Sequence, residues 1–266
     1  MTNNAKHHSV LNSRELYNGI CKSIKEEINQ PPRIVYKYLT IDGACALIEN
    51  LSLRYTPPNE FDDIFELCDH GHIKHNIMKK GDFLEDFITE LKLSDKDFAT
   101  LKLMKEQVGV SCYSDSWDIN IMWSLYAEKH HGVVIGLKSE CISPLTQVKY
   151  IPEAQEVDCF SSLIEQAKYM LFTKSNDWSW QREWRSVELL RNLTFLNDKK
   201  LYLKKVCKEA IAEIYIGTMS NEVYTTVDDN HKRFEKLVRQ HKLNASIYAC
   251  MKDLQMRGKL GRTQIE

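Results

Sequence analysis

The chain has no long apolar run: its purely hydrophobic stretches last only a few residues, and the segment Met1-Thr-Asn-Asn-Ala-Lys-His-His-Ser9 carries no apolar core. A membrane-spanning helix and a secretory leader are therefore not expected. Neither sign of charge dominates, because 36 Lys+Arg stand against 37 Asp+Glu for a net charge of -1. That balance removes the global electrostatic case for nucleic acid or an anionic membrane and leaves at most a local patch. The eight cysteines, 21, 45, 68, 112, 141, 159, 207 and 250, are scattered and include no Cys-x-x-Cys pair. They read as reduced, mostly buried thiols of a cytoplasmic protein rather than as a disulfide scaffold or a zinc ribbon. The chain has no glycine-rich phosphate loop, no Gly-x-Ser-x-Gly, no His-Glu-x-x-His, no internal repeat and no low-complexity segment.

What is present is ordinary globular material, 43% hydrophobic and 27% charged over 266 residues. That length suits one large domain or two tightly joined halves. Residues 1–32 read as an N-terminal appendage, with an amphipathic helix over Arg14 to Ile28 closed by Pro31 and Pro32. Residues 33–266 read as a single α+β domain. Its strands are Arg33 to Leu39, Leu51 to Thr56, Val108 to Ser114, Val133 to Leu137, Gln147 to Ile151, Glu183 to Leu190, Ala212 to Ile216 and a final one from Ala245 to Met251, followed by a basic tail. Helices are expected from Thr40 or Asp42, through the acidic span 59–106, from Asp118 to His130, from Glu153 to Lys174 and from Asp229 to His241. The absence of a regular strand-helix rhythm favours one mixed sheet with helical insertions over a doubly wound fold.

Three constellations carry candidate chemistry. In Trp178-Ser-Trp-Gln-Arg-Glu-Trp-Arg185 the period of two places Gln181, Glu183 and Arg185 on one strand face. Together they can hold a sugar hydroxyl or a phosphate, although a Glu and an Arg on one sheet face are more commonly a structural ion pair. Trp123, Tyr126 and His130 fall on one helical stripe, with core packing and a helix-end cap as the alternatives to a histidine at a cleft mouth. Tyr36 and Tyr38 face one way on the first strand and Lys37 the other, as a core flank or as a ligand platform. Asp62, Asp63, Glu66 and Asp69 could gather a divalent cation or cap a helix. Cys68, His70, His72 and His75 have spacings that fit no zinc motif, so no metal is expected.

Tyr36 to Tyr38, Phe61 to Glu66, Val110 to Ser114, Trp123 to Gly132, Lys174 to Arg185 and Ile214 to Gly217 follow one another in an order that resembles a bacterial family catalogued as a domain of unknown function, number two-nine-seven-one. Departures are Asp62 where the family has Asn, Ile64 where it has Pro, and Gln181 where Glu is commoner. The resemblance implies an accessory or defence-associated bacterial protein. A second likeness is to ADP-ribosyltransferases, through Gln181-x-Glu183, Trp180, the tyrosine-bearing first strand and the serines Ser111 and Ser114. That likeness implies an enzyme using NAD, a defence or toxin effector that transfers ADP-ribose to a macromolecular acceptor. Glu183 would stabilise an oxocarbenium-like ribose, Gln181 would orient the acceptor and His130 would join them as a catalytic group. The cofactor-binding set is then Tyr36, Lys37, Tyr38, Ser114, Trp123, Tyr126 and Arg185. Two alternatives stand beside it: a non-catalytic module for a nucleotide-like small molecule or a protein partner, and a metal-assisted nuclease or phosphoesterase.

Overall fold

The β-branched and aromatic residues that follow Pro31-Pro32 form a strand, and Thr40 ends it by capping the next helix, its hydroxyl accepting the Gly43 N–H. The computed structural model describes residues 12–26, 30–61, 106–142, 144–152, 162–217, 229–252 and 259–264. In chain order the elements are α1 (Ser13–Glu26), β1 (Ile34–Leu39), α2 (Ile41–Asn50), β2 (Ser52–Tyr55), β3 (Val108–Ser114), α3 (Asn120–Tyr126), β4 (Val133–Lys138), β5 (Thr146–Gln147), β6 (Lys149–Ile151), α4 (Leu163–Phe172), β7 (Thr173–Ser175), β8 (Glu183–Leu189), β9 (Thr194–Leu196), β10 (Leu201–Lys205), β11 (Ile211–Ile216), α5 (Asp229–His241), β12 (Ser246–Lys252) and β13 (Leu260–Gln264). Eight strands make one sheet in the order β13-β12-β11-β4-β1-β3-β8-β5. Its neighbours are antiparallel except for the parallel pair β11 and β12, so the fold is α+β around a mixed sheet. The strands β2, β10 and β9 form a smaller sheet, and β6 pairs with β7.

One face of the large sheet lies under α2 and α5, where Val35, Ile135, Leu137, Ile214, Ile216 and Ile247 meet Ala44, Leu47, Ile48, Phe234 and Val238. The other face carries two separate apolar clusters. At one end Leu16, Ile20 and Ile24 of α1 join Ala167, Met170 and Leu171 of α4 over Val108, Val110, Val187 and Leu189. At the other, Trp123 and Ala127 cover Tyr38, Val134, Tyr215 and Cys250. The helix anticipated for the N-terminal appendage is thus clamped into a core cluster through Leu16, which is fully buried. Between the two clusters a cross-strand line runs Glu213, Gly136, Tyr36, Ser114, Glu183, each residue opposite the next. Side chains directly opposite in a sheet share a face and touch, so this register assembles polar groups that are far apart in sequence.

Several expected boundaries change. The helix foreseen from Asp118 to His130 is only α3; Ile119 precedes it with no side-chain cap, and Asp118 accepts the Ser116 hydroxyl instead. The chain leaves the helix at Ala127, and Glu128, Lys129 and His130 take positive φ of 52°, 53° and 70°. Such backbone is costly outside glycine and persists only where packing dictates it. Here Gly132 and Gly217 press the loop onto the ends of β1 and β11: a Cβ on Gly132 would sit 2.2 Å from the Leu39 carbonyl oxygen, and one on Gly217 2.3 Å from that of His130. The helix expected over Glu153 to Lys174 begins at Leu163 among the described residues, with the Ser162 hydroxyl capping it, and ends at Phe172, so that Lys174 belongs to β7. Gln147 to Ile151 splits into β5 and β6, which belong to different sheets. The basic tail contributes β13, antiparallel to β12. It is a strand because β12 offers an unpaired edge, whatever its own propensity. The acidic span beyond Phe61, with Asp62, Asp63, Glu66, Asp69 and the Cys68, His70, His72 and His75 cluster, lies outside the described residues.

Candidate functional site

Alternation along β8 sends Glu183 and Arg185 to the same face, in the gap between the two apolar clusters. Gln181 is not on that strand. It ends a 3₁₀ turn, Asn176–Gln181, started by Ser175, whose hydroxyl accepts the Asp177 N–H; Arg182 then turns the chain at φ 50° into β8. The expected two-residue period therefore does not bring Gln181 to Glu183. Hydrogen bonds do, because the Ser114 hydroxyl donates to the Gln181 carbonyl (2.8 Å) and Lys174 Nζ donates both to Gln181 Oε1 (2.8 Å) and to Glu183 Oε2 (3.3 Å). Gln181 Nε2 in turn donates to the Tyr126 hydroxyl (2.9 Å).

Arg185 is fully buried and grips Glu183 in a fork, Nε to Oε1 at 2.7 Å and Nη2 to Oε2 at 3.2 Å, while Nη1 donates to the Leu171 carbonyl at 2.7 Å. Burial by itself would raise the Glu183 carboxyl. The charges of Arg185 and Lys174, with hydrogen bonds from Arg185 and the Cys112 thiol, outweigh it and hold the group at about 2, so Glu183 is ionised at neutral pH. The Glu183 backbone N–H donates to the Tyr150 hydroxyl (2.8 Å), which pins the start of β8 to β6.

Beside this network β1 and β3 pair only at Tyr36 opposite Ser114, whereas β1 and β4 pair along their whole length. A cleft of ≈ 270 Å³ opens there, walled by Tyr36, Tyr38, Phe61, Tyr113, Tyr126 and Trp178. Met122, Cys112, Lys37, Lys174, Gln181 and Glu183 complete its lining. Lys37 Nζ donates to Ser111 Oγ (3.2 Å) and to the Cys112 carbonyl (3.1 Å) and lies 4.9 Å from the centre of the Tyr113 ring. Burial pushes its pKa below the ordinary lysine value; the neighbouring Cys112 thiol opposes this most, the Arg54 charge adds to it and the Glu183 charge opposes it.

Of the residues anticipated from sequence, Tyr36, Lys37, Tyr38, Tyr126, Gln181 and Glu183 line this one cleft. The others are close but turned to different work. Trp123 is fully buried, packs edge-on against Tyr38 and donates its indole N–H to the Trp117 carbonyl. His130 stacks on the far side of the cluster against Trp123 and sits 3.1 Å from the Ser124 hydroxyl, away from the cleft lining. Ser114 and Arg185 are sealed below the surface as supports of Gln181 and Glu183. Tyr38 donates to the Ser116 carbonyl and accepts from the Ile119 N–H, so its hydroxyl ties down the loop before α3. Tyr36 donates to Glu213, which also accepts from Tyr215.

Sequence reasoning passed over Lys174, Trp178 and Cys112 as site residues. Lys174 and Trp178 stand together, the ammonium 5.0 Å from the ring centre. Neither shares a helical or strand period with Glu183, so only the turn that carries them could reveal the contact. Among the described residues no group of His, Cys, Asp or Glu side chains is placed to hold a metal ion, and no helix is long and apolar enough to cross a membrane. No protein-family model, no curated protein and no solved structure matches the chain.

Proposed function

We propose that the cleft is a binding site for a small nucleotide-like anion that has both a flat or sugar-like body and a phosphate. The observation that carries this reading is the contrast between the two lysines of the cleft. Lys174 is ion-paired with Glu183, whereas Lys37 forms no ion pair among the described residues and is held only by neutral oxygens. The lining therefore keeps one positive charge that an anion would complement. Aromatic walls suit a base or a sugar face, and the ordered amide of Gln181 with the Tyr126 hydroxyl suits a sugar hydroxyl. At ≈ 270 Å³ the cleft lies just under the range of ~300–1,000 Å³ usual for small-molecule sites. It has room for a mononucleotide or a sugar phosphate, while a dinucleotide such as NAD would leave one half outside.

Calorimetric titration with AMP, ADP and NAD tests the reading. Binding should weaken with added salt and fall by ~10-fold or more in Lys37→Met, because one charge-assisted contact is removed from a desolvated site. No binding of any of the three would sink it.

NAD-dependent ADP-ribosyl transfer is the second reading, favoured by one observation: an ionised Glu183 lines the same cleft as Gln181, Tyr36 and Tyr38. Against it, both carboxylate oxygens are already engaged by Arg185 and Lys174. Loss of NAD with the wild type and not with Glu183→Gln, at equal folded concentration, would establish this reading over simple binding.

A further inference from the structure

β4 and β11 pair antiparallel, and their last register partners at one end are Leu137 and Ile211. Cys141 lies four residues beyond Leu137 and Cys207 four residues before Ile211, so both chains leave the same end of the pair with a thiol at equal distance. Each then makes a 3₁₀ turn, over Ser139–Cys141 and Lys208–Ala210. Backbone bonds pin both turns: the Ser139 N–H donates to the Arg33 carbonyl, the Val206 N–H to that of Leu51 and the Ala210 N–H to that of Cys207. The result is a hydrogen bond between the thiols of Cys141 and Cys207, the first packed against the core and the second exposed. We infer that Cys141 and Cys207 are a redox pair, which a small-molecule disulfide of the glutathione class oxidises to one intramolecular disulfide.

The chemistry balances with that oxidant alone. Cys207 gives its proton to solvent and its thiolate attacks one sulfur of the small disulfide, whose S–S bond breaks and releases one small thiolate. Cys141 then gives up its own proton and attacks the Cys207 sulfur of the mixed disulfide, which expels the second small thiolate. Two protein thiols lose two electrons in all, and one small disulfide is reduced to two small thiols. Exposure sets the order of attack. Cys207 is the one exposed thiol among the described residues, whereas burial, and after it the adjoining sulfur, push the Cys141 thiol above its usual range. A lone thiol would stop at the mixed disulfide; a second thiol in contact resolves it. The new bond ties the exit of β4 to the entry of β11, next to the register shift between Ile211 and Glu213. Oxidation thus fastens the strand whose Glu213 accepts the Tyr36 hydroxyl in the cleft wall.

The test incubates the full, reduced chain with glutathione disulfide in buffer and in urea, alkylates the remaining thiols with iodoacetamide and maps the products by non-reducing peptide mass spectrometry. In the folded protein the Cys141–Cys207 link should exceed the glutathione adduct of Cys207 by ~10-fold, because the second thiol acts at a high effective concentration. In urea that preference should vanish. Cys141→Ser should leave glutathione on Cys207. The comparison of folded with unfolded wild type stands even if the variant folds poorly. A folded wild type in which Cys207 keeps its glutathione while Cys141 is alkylated overturns the pair, and so does a preferred link from Cys207 to any other cysteine. A Cys141–Cys207 preference that persists in urea would owe nothing to the fold and overturns it equally.

Discussion

Replacing Glu183 with Gln removes a negative charge that bridges Arg185 and Lys174 in the sheet interior. The side chain of Arg185 is 0% exposed and that of Lys174 7%, so neither can turn to water when the carboxylate is lost. Two routes give the magnitude. Breaking one partner of a buried ion pair costs ~3–5 kcal/mol because a charge is left uncompensated. Independently, a carboxyl taken from 4.5 in the unfolded chain to about 2 in the folded one is worth ~3 kcal/mol at neutral pH. The group is almost fully buried, so solvent screening does not reduce that figure much. For a chain of this size ~3 kcal/mol corresponds to a fall in Tm of ~6–12 °C.

The sign of the pH dependence follows from the lowered folded value. The stabilisation is complete above about 4.5 and is lost as pH falls towards 2, because the unfolded carboxyl takes its proton first. Guanidinium unfolding of wild type and Glu183→Gln from neutral pH to ~3 should therefore show two curves that converge on acidification. Glu188, whose pKa is also held low against burial by hydrogen bonds from Asn192 and Lys204, titrates in both proteins and drops out of the difference. A gap of less than ~0.5 kcal/mol at neutral pH, or one that does not narrow as the pH falls towards ~3, would refute the claim that this pair is the electrostatic anchor of β8.

Three further outcomes can be measured. Leu16→Ala should cost ~2–5 kcal/mol in chemical denaturation, because Leu16 is fully buried where α1 meets α4; a cost near zero would mean that the N-terminal helix is dispensable. Gly217→Ala should cost ~1–3 kcal/mol and perturb the near-ultraviolet signal of Trp123, since the added methyl meets the His130 carbonyl oxygen at 2.3 Å and the Trp123 ring at 2.8 Å. Ser114→Ala removes the donor to the Gln181 carbonyl at the cost of ~1–3 kcal/mol; ligand affinity should fall with it, and unchanged affinity in titration would show that the side-chain bonds to Lys174 and Tyr126 suffice to hold Gln181.

Much of the frame was legible in advance because it depends on local properties. Dense β-branched and aromatic residues marked β1, β3, β4, β8 and β11 to within a residue or two, and of the two starts read for the next helix, Thr40 or Asp42, the structure takes Thr40, whose hydroxyl caps α2. The class followed from the mixture of these elements. What failed was whatever a neighbour decides. The stripe that placed Trp123, Tyr126 and His130 together assumed an unbroken helix. Contacts at Gly132 and Gly217 force the chain out at Ala127, so Trp123 goes to the core, Tyr126 to the cleft and His130 to the outer side of the indole.

The amino-acid sequence by itself determined that the segments of β1, β3, β4, β8 and β11 become strands and that Glu183 and Arg185 share a face, since these follow from side-chain shape and a period of two. Only the tertiary structure decided that Lys174 reaches Glu183, that Ser114 supports Gln181 rather than a ligand, and that Lys37 stands beside a parting of β1 from β3. Those facts depend on cross-strand register and on which carbonyls are left unpaired. Such long-range pairings have no local period, and they are settled only when the whole sheet minimises its buried, unsatisfied polar groups at once.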